Sequence, residues 1–262
     1  ARYYAEFAAT FPDHPRTPER LFLLGETYLE LEDWPAAIAA FERVAYDYPG
    51  DRVPERAAEA GYASVLAFRE YAKTWDNQPV SDQRAYQELQ QLNRLRFANA
   101  FPDDPRAPAV YYIALQREFD QNNWEETVNM AARLVTWQPA PPSDLTTEAL
   151  LLSGHSLSEL ARYAEAEQAY RDALATMAEN DERRGSVREN LAAAVYRQAE
   201  QLADAGNVEA AVSEFLRVGS AVPESVLRAN AEYDAASLLI TANLWDQAIS
   251  VLTSFRRAFP DH

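Results

Sequence analysis

The sequence predicts an all-α fold in which paired helices stack into a right-handed superhelical solenoid. Prolines that close helical-looking stretches recur 37 residues apart, as Pro12 with Pro49, Pro102 with Pro139, and Pro223 with Pro260. The phrase Phe-Pro-Asp recurs as well, at residues 11–13, 101–103 and 259–261. Small residues also recur in phase with the prolines. A fixed period of this length is typical of stacked supersecondary units.

The clearest unit spans residues 18–49 and contains two apolar faces separated by a polar turn. Its patterned residues are Leu21, Leu24, Gly25 and Tyr28 before the turn, and Ala37, Phe41, Val44 and Pro49 after it. The unit resembles the tetratricopeptide repeat, in which a large residue, Leu-Gly, Tyr, Ala, Phe and Pro follow one another at fixed intervals. The resemblance implies helical hairpins that hold protein partners without catalysing a reaction.

Approximate copies of this unit predict a single repeat array over residues 1–262. The expected divisions are a partial repeat at 1–12 and repeats at about 18–49, 54–102, 108–139, 147–178, 192–223 and 229–260. The 54–102 unit is irregular, and we expect a long first helix near 54–72, an extended turn, and a second helix near 82–100. Both ends lack a polar capping helix, which solenoids need for solubility. We therefore expect a piece of a longer array that self-associates through its repeat ends.

Individual residue types fit this architecture. Gly25, Gly154, Ala199 and Ala236 are expected where the two helices of a hairpin approach closely. Trp34, Trp124, Tyr163, Val208 and Trp245 are expected to open the second helices, and Trp34, Tyr163 and Trp245 to fill the space beside the turn. Thr17 before Pro18 predicts a capped helix start. Ser186 with Glu189 predicts a capping box.

Composition excludes several function classes. The chain has 41 acidic and 24 basic residues, a net charge of −17, which argues against nucleic-acid binding because that requires clustered Lys and Arg. There is no cysteine, so disulfides, thiol nucleophiles and Cys-ligated metals are excluded. No apolar run is long enough for a membrane span. No glycine-rich phosphate loop or zinc-ligand spacing occurs, so we expect no cofactor or metal.

The sequence does not predict an enzyme. The three histidines, His14, His155 and His262, lie far apart, and two of them occur in the recurring linker phrase. His155 lies among serines and a glutamate in the stretch SGHSLSE, residues 153–159. No strand-turn-helix elbow surrounds these serines, and the stretch is a repeat in register. We therefore interpret it as structural.

In tetratricopeptide arrays the first helix of each hairpin lines a concave groove, and its positions 2, 5, 9, 12 and 13 face the ligand. Here these positions give thirty residues, of which nine are acidic and none is Lys or Arg. They include Phe22, Glu26, Glu30, Tyr62, Tyr112, Gln116, Phe119, Asp120, Glu148, His155, Glu159, Tyr196, Glu200, Asp204, Tyr233 and Ser237. This pattern predicts a neutral or basic partner segment anchored by aromatic side chains. The alternative is that the acids are general surface charge.

Two functional interpretations remain open. The linkers resemble those of bacterial envelope members of the family, of the β-barrel assembly lipoprotein and Tol–Pal coordinator type. This resemblance implies a periplasmic or outer-membrane-associated scaffold that binds protein partners, with a cytoplasmic location as the alternative. The second interpretation is a segment of a larger envelope enzyme or of an export or polysaccharide-secretion system, which guides substrate or assembles the complex.

Overall fold

The computed structural model describes residues 1–48, 54–75 and 79–260. This described part contains thirteen α-helices and no β-strand, which confirms the predicted all-α solenoid class. In chain order the helices are α1 (Arg2–Thr10), α2 (Thr17–Glu30), α3 (Trp34–Tyr46), α4 (Ala57–Ala72), α5 (Val80–Ala100), α6 (Ala107–Asp120), α7 (Trp124–Val135), α8 (Ser143–Glu159), α9 (Tyr163–Thr176), α10 (Arg184–Asp204), α11 (Val208–Ala221), α12 (Arg228–Thr241) and α13 (Trp245–Ala258). We call the even-numbered helices A helices and α3 to α13 of the odd-numbered ones B helices.

The helices form two compact units, Ala1–Ala114 and Leu115–His262. In the first unit, α1 packs against α2, α2 against α3, α3 against α4, and α4 against α5. Its core is formed by Leu21, Leu24, Phe41 and Val44 together with small side chains such as Ala37. Packing of sequential neighbours is the arrangement expected of a repeat array.

The second unit continues the same sequential packing from α7 to α13. Its core contains Tyr170, Leu191, Val195, Phe215 and Leu239, all buried. Burying such side chains stabilises the fold by roughly 1.5–3 kcal/mol each. The core is therefore assembled one hairpin at a time.

Close approach within the hairpins depends on two glycines, as predicted. A Cβ atom added at Gly25 would lie 2.7 Å from the ring of Phe41. A Cβ atom added at Gly154 would lie 2.7 Å from the ring of Tyr170. Real Cβ atoms do not approach carbon so closely, so only glycine allows these rings to lie flat on the A helix.

The B helices begin at the residues that the sequence predicts, Trp34, Trp124, Tyr163, Val208 and Trp245. The residue two positions earlier has a left-handed backbone in every one of these turns. The values of φ are 58° at Glu32, 60° at Asn122, 55° at Ala161, 75° at Gly206 and 62° at Asn243. A left-handed residue is a common way to end a helix, and here it reverses the chain between A and B.

Proline lies just beyond the helix end at four of the expected positions that the structure describes, whereas Pro139 lies four residues after the end of α7. Pro12, Pro102, Pro223 and Pro260 each lie two residues beyond the last residue of α1, α5, α11 and α13. Proline lacks the N–H group and the conformational freedom that a continuing helix requires. Pro49 and His262 lie outside the described residues, as do residues 76–78 of the extended turn.

Both predicted helix caps are wrong. α2 begins at Thr17 itself, and the Thr17 hydroxyl donates a hydrogen bond to the carbonyl oxygen of Phe11 at 2.5 Å. α10 begins at Arg184, so Ser186 lies inside its first turn and donates to the carbonyl of Arg183 instead of accepting a backbone N–H. The sequence pattern failed because His14 and Asp181 of the linkers, and not Thr17 or Ser186, accept a backbone N–H group at the starts of these helices.

In the linkers before three A helices, a side chain accepts a backbone N–H group. His14 Nδ1 accepts the backbone N–H of Arg16 at 3.1 Å, and Asp104 Oδ1 accepts that of Arg106 at 2.9 Å. Asp181 Oδ1 accepts the N–H of Arg183 at 2.9 Å in the same way. Local hydrogen bonds of this kind stabilise turns. They fix the chain just before an A helix.

Trp245 does not fill the space beside its turn. Its side chain is 54% exposed, whereas Trp34 and Tyr163 are half-buried. α4 packs over α3 and α10 packs over α9, but among the described helices α13 packs against α12. The tryptophan therefore has no helix lying over it in the described part.

The irregular unit contains α4 and α5, whose inner contacts are partly polar. Gln91 Nε2 donates to the carbonyl of Ala114 at 2.9 Å. Asn93 Nδ2 donates to Glu42 at 2.7 Å and to the Ser64 hydroxyl at 2.9 Å. These bonds replace part of the apolar packing that joins other hairpins.

None of the helices that the structure describes combines the length and apolarity needed to cross a bilayer.

Candidate partner-binding surface

The predicted groove residues of the first unit differ in their accessibility. Phe22 is buried, its ring lies 5.3 Å from that of Phe41, and the guanidinium of Arg56 lies 3.5 Å above it. Glu26 and Glu30 are exposed. Phe22 is thus an internal contact, and the two carboxylates are the accessible groups.

Tyr62 and Tyr112 are both half-buried. The Tyr62 ring lies 5.8 Å from the Phe97 ring, and the guanidinium of Arg106 lies 4.3 Å above it. The Arg106 guanidinium also donates hydrogen bonds to both carboxylate oxygens of Asp104. These bonds lower the pKa of the Asp104 carboxyl group despite its partial burial. Cation–π contact of this kind stabilises the ring in place.

Sequence reasoning missed the arginines that lie over these rings. That reasoning counted basic residues only at the groove positions of the A helices. Arg56 is the N-cap residue of α4, and Arg106 directly precedes α6. Arg16 and Arg183 occupy the same place before α2 and α10. An arginine directly before an A helix is therefore the sequence feature that could have predicted these contacts.

In the second unit the groove positions are mostly accessible. Gln116, Asp120, His155, Glu159, Asp204, Tyr233 and Ser237 are exposed. Phe119, Glu148, Tyr196 and Glu200 are half-buried.

His155 lies in an aromatic cluster. Its Nδ1 atom lies 3.1 Å from the Tyr170 hydroxyl, and the two ring centroids are 5.6 Å apart. The Phe119 ring lies 6.4 Å from the imidazole and 5.4 Å from the Trp124 ring. Desolvation by this packing lowers the pKa of His155, and the opposing charge effect of Glu159 is smaller. The packing therefore favours the neutral form of the imidazole.

In the described part of the chain, the serines near this histidine are not arranged as a nucleophile for it. Ser158 donates its hydroxyl to the carbonyl of Gly154 at 2.9 Å, and Ser156 is fully buried. Within the described residues no serine hydroxyl hydrogen-bonds to His155, and no three His, Asp or Glu side chains converge into a cation site. Ser158 and His155 therefore have separate hydrogen-bond partners, the Gly154 carbonyl and the Tyr170 hydroxyl.

Two further groove residues contact neighbouring side chains. Glu148 accepts from Arg183, whose guanidinium also binds Asp181 and thereby lowers the pKa of that carboxyl group. Glu200 accepts from Arg197 at 2.6 Å. These contacts leave Glu148 and Glu200 less available to a partner than the sequence suggests.

Four A helices end on a carboxylate. Glu30 is the last residue of α2, Asp120 of α6, Glu159 of α8 and Asp204 of α10. All four are exposed, and none forms an ion pair with Arg or Lys in the part of the chain that the structure describes. Carbonyl groups at a helix C-terminus carry partial negative charge, so an acid there costs roughly 0.3–1 kcal/mol. These carboxylates lie where a cation is favoured.

Comparison with known families agrees with this architecture. The tetratricopeptide repeat family matches residues 21–51, which cover α2 from Leu21 onward and all of α3. No curated protein matches the chain.

Proposed function

We propose that this chain, which carries a tetratricopeptide repeat in α2 and α3, is a non-catalytic protein-interaction scaffold of the bacterial cell envelope. It holds a neutral or basic segment of a partner protein against the A helices. Repeats of this family generally mediate contacts between proteins. The envelope location rests on the resemblance of the linkers to those of envelope scaffolds.

The carrying observation is the row of carboxylates that end the A helices. In the second unit these are Asp120, Glu159 and Asp204. Each lies in the negative potential of its own helix terminus, so an Arg or Lys of a partner gains more there than beside an isolated acid. The cluster around His155 lies on the same helix as Glu159, and the exposed Tyr233 lies on the A helix α12, so both offer aromatic side chains to a partner.

A peptide titration tests the proposal. We expect a short peptide alternating Arg with Tyr to bind the full chain, and the same peptide with Arg replaced by Glu not to bind. A variant with Glu159→Gln and Asp204→Asn should weaken binding by about tenfold, which corresponds to roughly 1.4 kcal/mol. The free variant should be slightly more stable than the parent, because unfavourable charges have left two helix ends.

The matched control is a variant with Glu126→Gln and Glu209→Gln. It removes the same two charges from exposed acids in the first turns of α7 and α11. Its affinity should equal that of the parent. Equal weakening in both variants would reduce the effect to general charge, and unchanged affinity in the first would exclude this surface.

Self-association is a second proposal, and the outer face of α13 favours it. Trp245 is 54% exposed and Ile249 is 62% exposed. We expect the molar mass measured by light scattering to rise with protein concentration, and the substitutions Trp245→Gln and Ile249→Gln to abolish that rise. A constant monomer mass for the parent would refute it.

A further inference from the structure

The second unit contains a cavity of about 560 Å³ lined by side chains from α9, α10 and α11. Arg171 and Leu174 line it from α9, Arg184, Arg188 and Leu191 from α10, and Glu224 from the segment after α11. Three of its lining residues are arginines although the chain has a net charge of −17. We call it the arginine cavity.

An unusual length of helix creates one wall of this cavity. α10 has 21 residues, whereas α2 and α12 have 14 each. Arg184 and Arg188 lie in its first two turns, before the part that corresponds to the shorter A helices. The cavity is therefore separate from the predicted groove positions, which begin later in α10.

Arg171 and Arg184 each use some guanidinium nitrogens in hydrogen bonds within the protein and keep another nitrogen available as a donor. Arg184 Nη1 donates to the carbonyls of Leu174 at 2.8 Å and Met177 at 3.0 Å, which satisfies the end of α9. Arg171 donates through Nε and Nη2 to Glu167. In the described part, Arg171 Nη1 and Arg184 Nη2 have no hydrogen-bond partner.

Arg188 is the most adaptable of the three. Its Nη1 atom donates to Glu224 at 3.0 Å, and the two side chains are 45% and 56% exposed. Exposed pairs of this kind contribute only about 0–1 kcal/mol, so a better placed anion can replace Glu224. The guanidinium is thus a donor that a ligand can recruit.

The charge around the cavity is positive. Glu224 is the one acid among its lining residues, against three arginines. Glu167 lies behind Arg171 and is already bound by Arg217 at 2.6 Å and 2.7 Å. A ligand carboxylate therefore meets cations that the protein's own acids do not fully neutralise.

We propose that the arginine cavity binds an acidic peptide segment in which a carboxylate lies beside apolar side chains. The planar fork of a guanidinium matches a carboxylate through two parallel hydrogen bonds. Leu174, Leu191 and Val222 provide the apolar surface for the neighbouring side chains. This site goes beyond the proposed groove function, because it lies on other residues and selects the opposite charge.

Fluorescence anisotropy with labelled peptides tests the proposal on the full chain. The probe is Leu-Glu-Leu-Glu-Leu with blocked ends, and the comparison peptide is Leu-Gln-Leu-Gln-Leu. We expect the glutamate peptide to bind at least about tenfold more tightly. A third peptide with phosphoserine in place of glutamate shows whether a phosphate satisfies the same donors.

Variants distinguish a ligand site from a structural cluster. Arg188→Gln should weaken binding of the glutamate peptide by about tenfold. Glu224→Gln should tighten it severalfold, because the substitution frees Arg188 and removes a competing charge. Arg197→Gln is the matched control, since Arg197 lies on the same helix, binds Glu200 and does not line the cavity.

The outcomes are decisive in either direction. Tighter binding of the glutamate or phosphoserine peptide, reversed charge effects in the two cavity variants, and an unaffected control support the site. Equal binding of the glutamine peptide overturns it, and so does an unchanged affinity in Glu224→Gln. The groove variants Glu159→Gln and Asp204→Asn should leave this binding intact, so the two proposals fail separately.

Discussion

The phenol of Tyr196 donates a 2.5 Å hydrogen bond to Oδ2 of Asp234 and so joins α10 directly to α12. The two residues are 38 positions apart and lie on successive A helices. The Tyr196 ring also packs edge-on against Phe215 of the intervening α11, with the centroids 5.2 Å apart. One side chain therefore connects three consecutive helices.

Replacing this phenol should measure the connection. Tyr196→Phe keeps the ring and removes the donor, so we expect a loss of about 1 kcal/mol in the free energy of unfolding. Urea denaturation measures the loss. Tyr233→Phe is the control, because Tyr233 is 57% exposed and neighbours Asp234 in the chain, and this substitution should be neutral.

The Tyr196 hydroxyl should also titrate late. Burial raises its pKa above the ordinary value of 10.0, and the bond to Asp234 raises it further. The folded state therefore prefers the protonated phenol, so its contribution to stability is complete below pH 10 and is lost as the pH rises further. Ultraviolet titration should show that the Tyr196→Phe variant lacks one late-ionising tyrosine. An unchanged titration curve would contradict this contact.

Glu167 should contribute strongly to stability in the second unit. It is 8% exposed and accepts hydrogen bonds from Arg171 in α9, Gln198 in α10 and Arg217 in α11. Burial alone would raise its pKa, but these bonds outweigh burial and lower the pKa to about 2. Glu167→Gln removes the anion that Arg171 and Arg217 share, and of the two only Arg217 keeps another carboxylate partner in the described part of the chain, Glu214. We therefore expect a loss of about 3 kcal/mol.

The same carboxylate predicts a pH dependence. Because the pKa is depressed in the folded state, the stabilisation is present above about pH 4.5 and is lost as the pH falls towards 2. Denaturation at a series of pH values should show this loss in the parent and not in Glu167→Gln. Glu126→Gln, an exposed acid of α7, should retain the parent's pH profile. Parallel profiles for parent and Glu167→Gln would refute the assignment.

The two kinds of glycine in this chain should respond oppositely to alanine. Gly154→Ala places a Cβ atom 2.7 Å from the Tyr170 ring, so we expect a loss of about 1–3 kcal/mol from overpacking. At Gly185, in the first turn of α10, a Cβ atom meets nothing within 4 Å. Gly185→Ala should raise stability by about 0.5 kcal/mol, because alanine favours the helix. Thermal unfolding compares the two, and equal effects would refute the close approach.

The A-to-B turn of the fourth complete hairpin contains an alanine where glycine fits better. Ala161 has a φ of 55°, whereas Gly206 occupies the same place in the next hairpin with a φ of 75°. A left-handed alanine costs roughly 1–2 kcal/mol, so Ala161→Gly should stabilise the protein by about 1 kcal/mol. Ala39→Gly, on the exposed side of α3, should lower stability by a similar amount. Stability that falls in both variants would contradict the turn geometry.

Much of the local structure was predictable because it is encoded within short segments. The starts of the B helices follow from an aromatic or branched residue after a polar turn, and four of the expected prolines lie just beyond helix ends. Gly25 and Gly154 correctly predicted that the two helices of a hairpin approach closely, at Phe41 and Tyr170. The repeat divisions and the partner-facing role of the groove residues stay predictions.

The errors have a common cause. Thr17 and Ser186 look like caps when only neighbouring letters are considered, but the linker acceptors His14 and Asp181 shift the helix starts. Phe22 looks like an exposed anchor, but Arg56 covers it. In each case the deciding group lies outside the helix that the pattern describes.

The sequence by itself determined which segments are helices, where the hairpins turn and which faces are apolar, because helical periodicity and small-residue spacing act over a few residues. Only the tertiary structure decided that Arg217 reaches Glu167 across 50 residues of chain, and that three arginines converge on one cavity. Such pairings depend on how neighbouring helices cross and on which rotamers their long side chains adopt. That information arises when the hairpins pack.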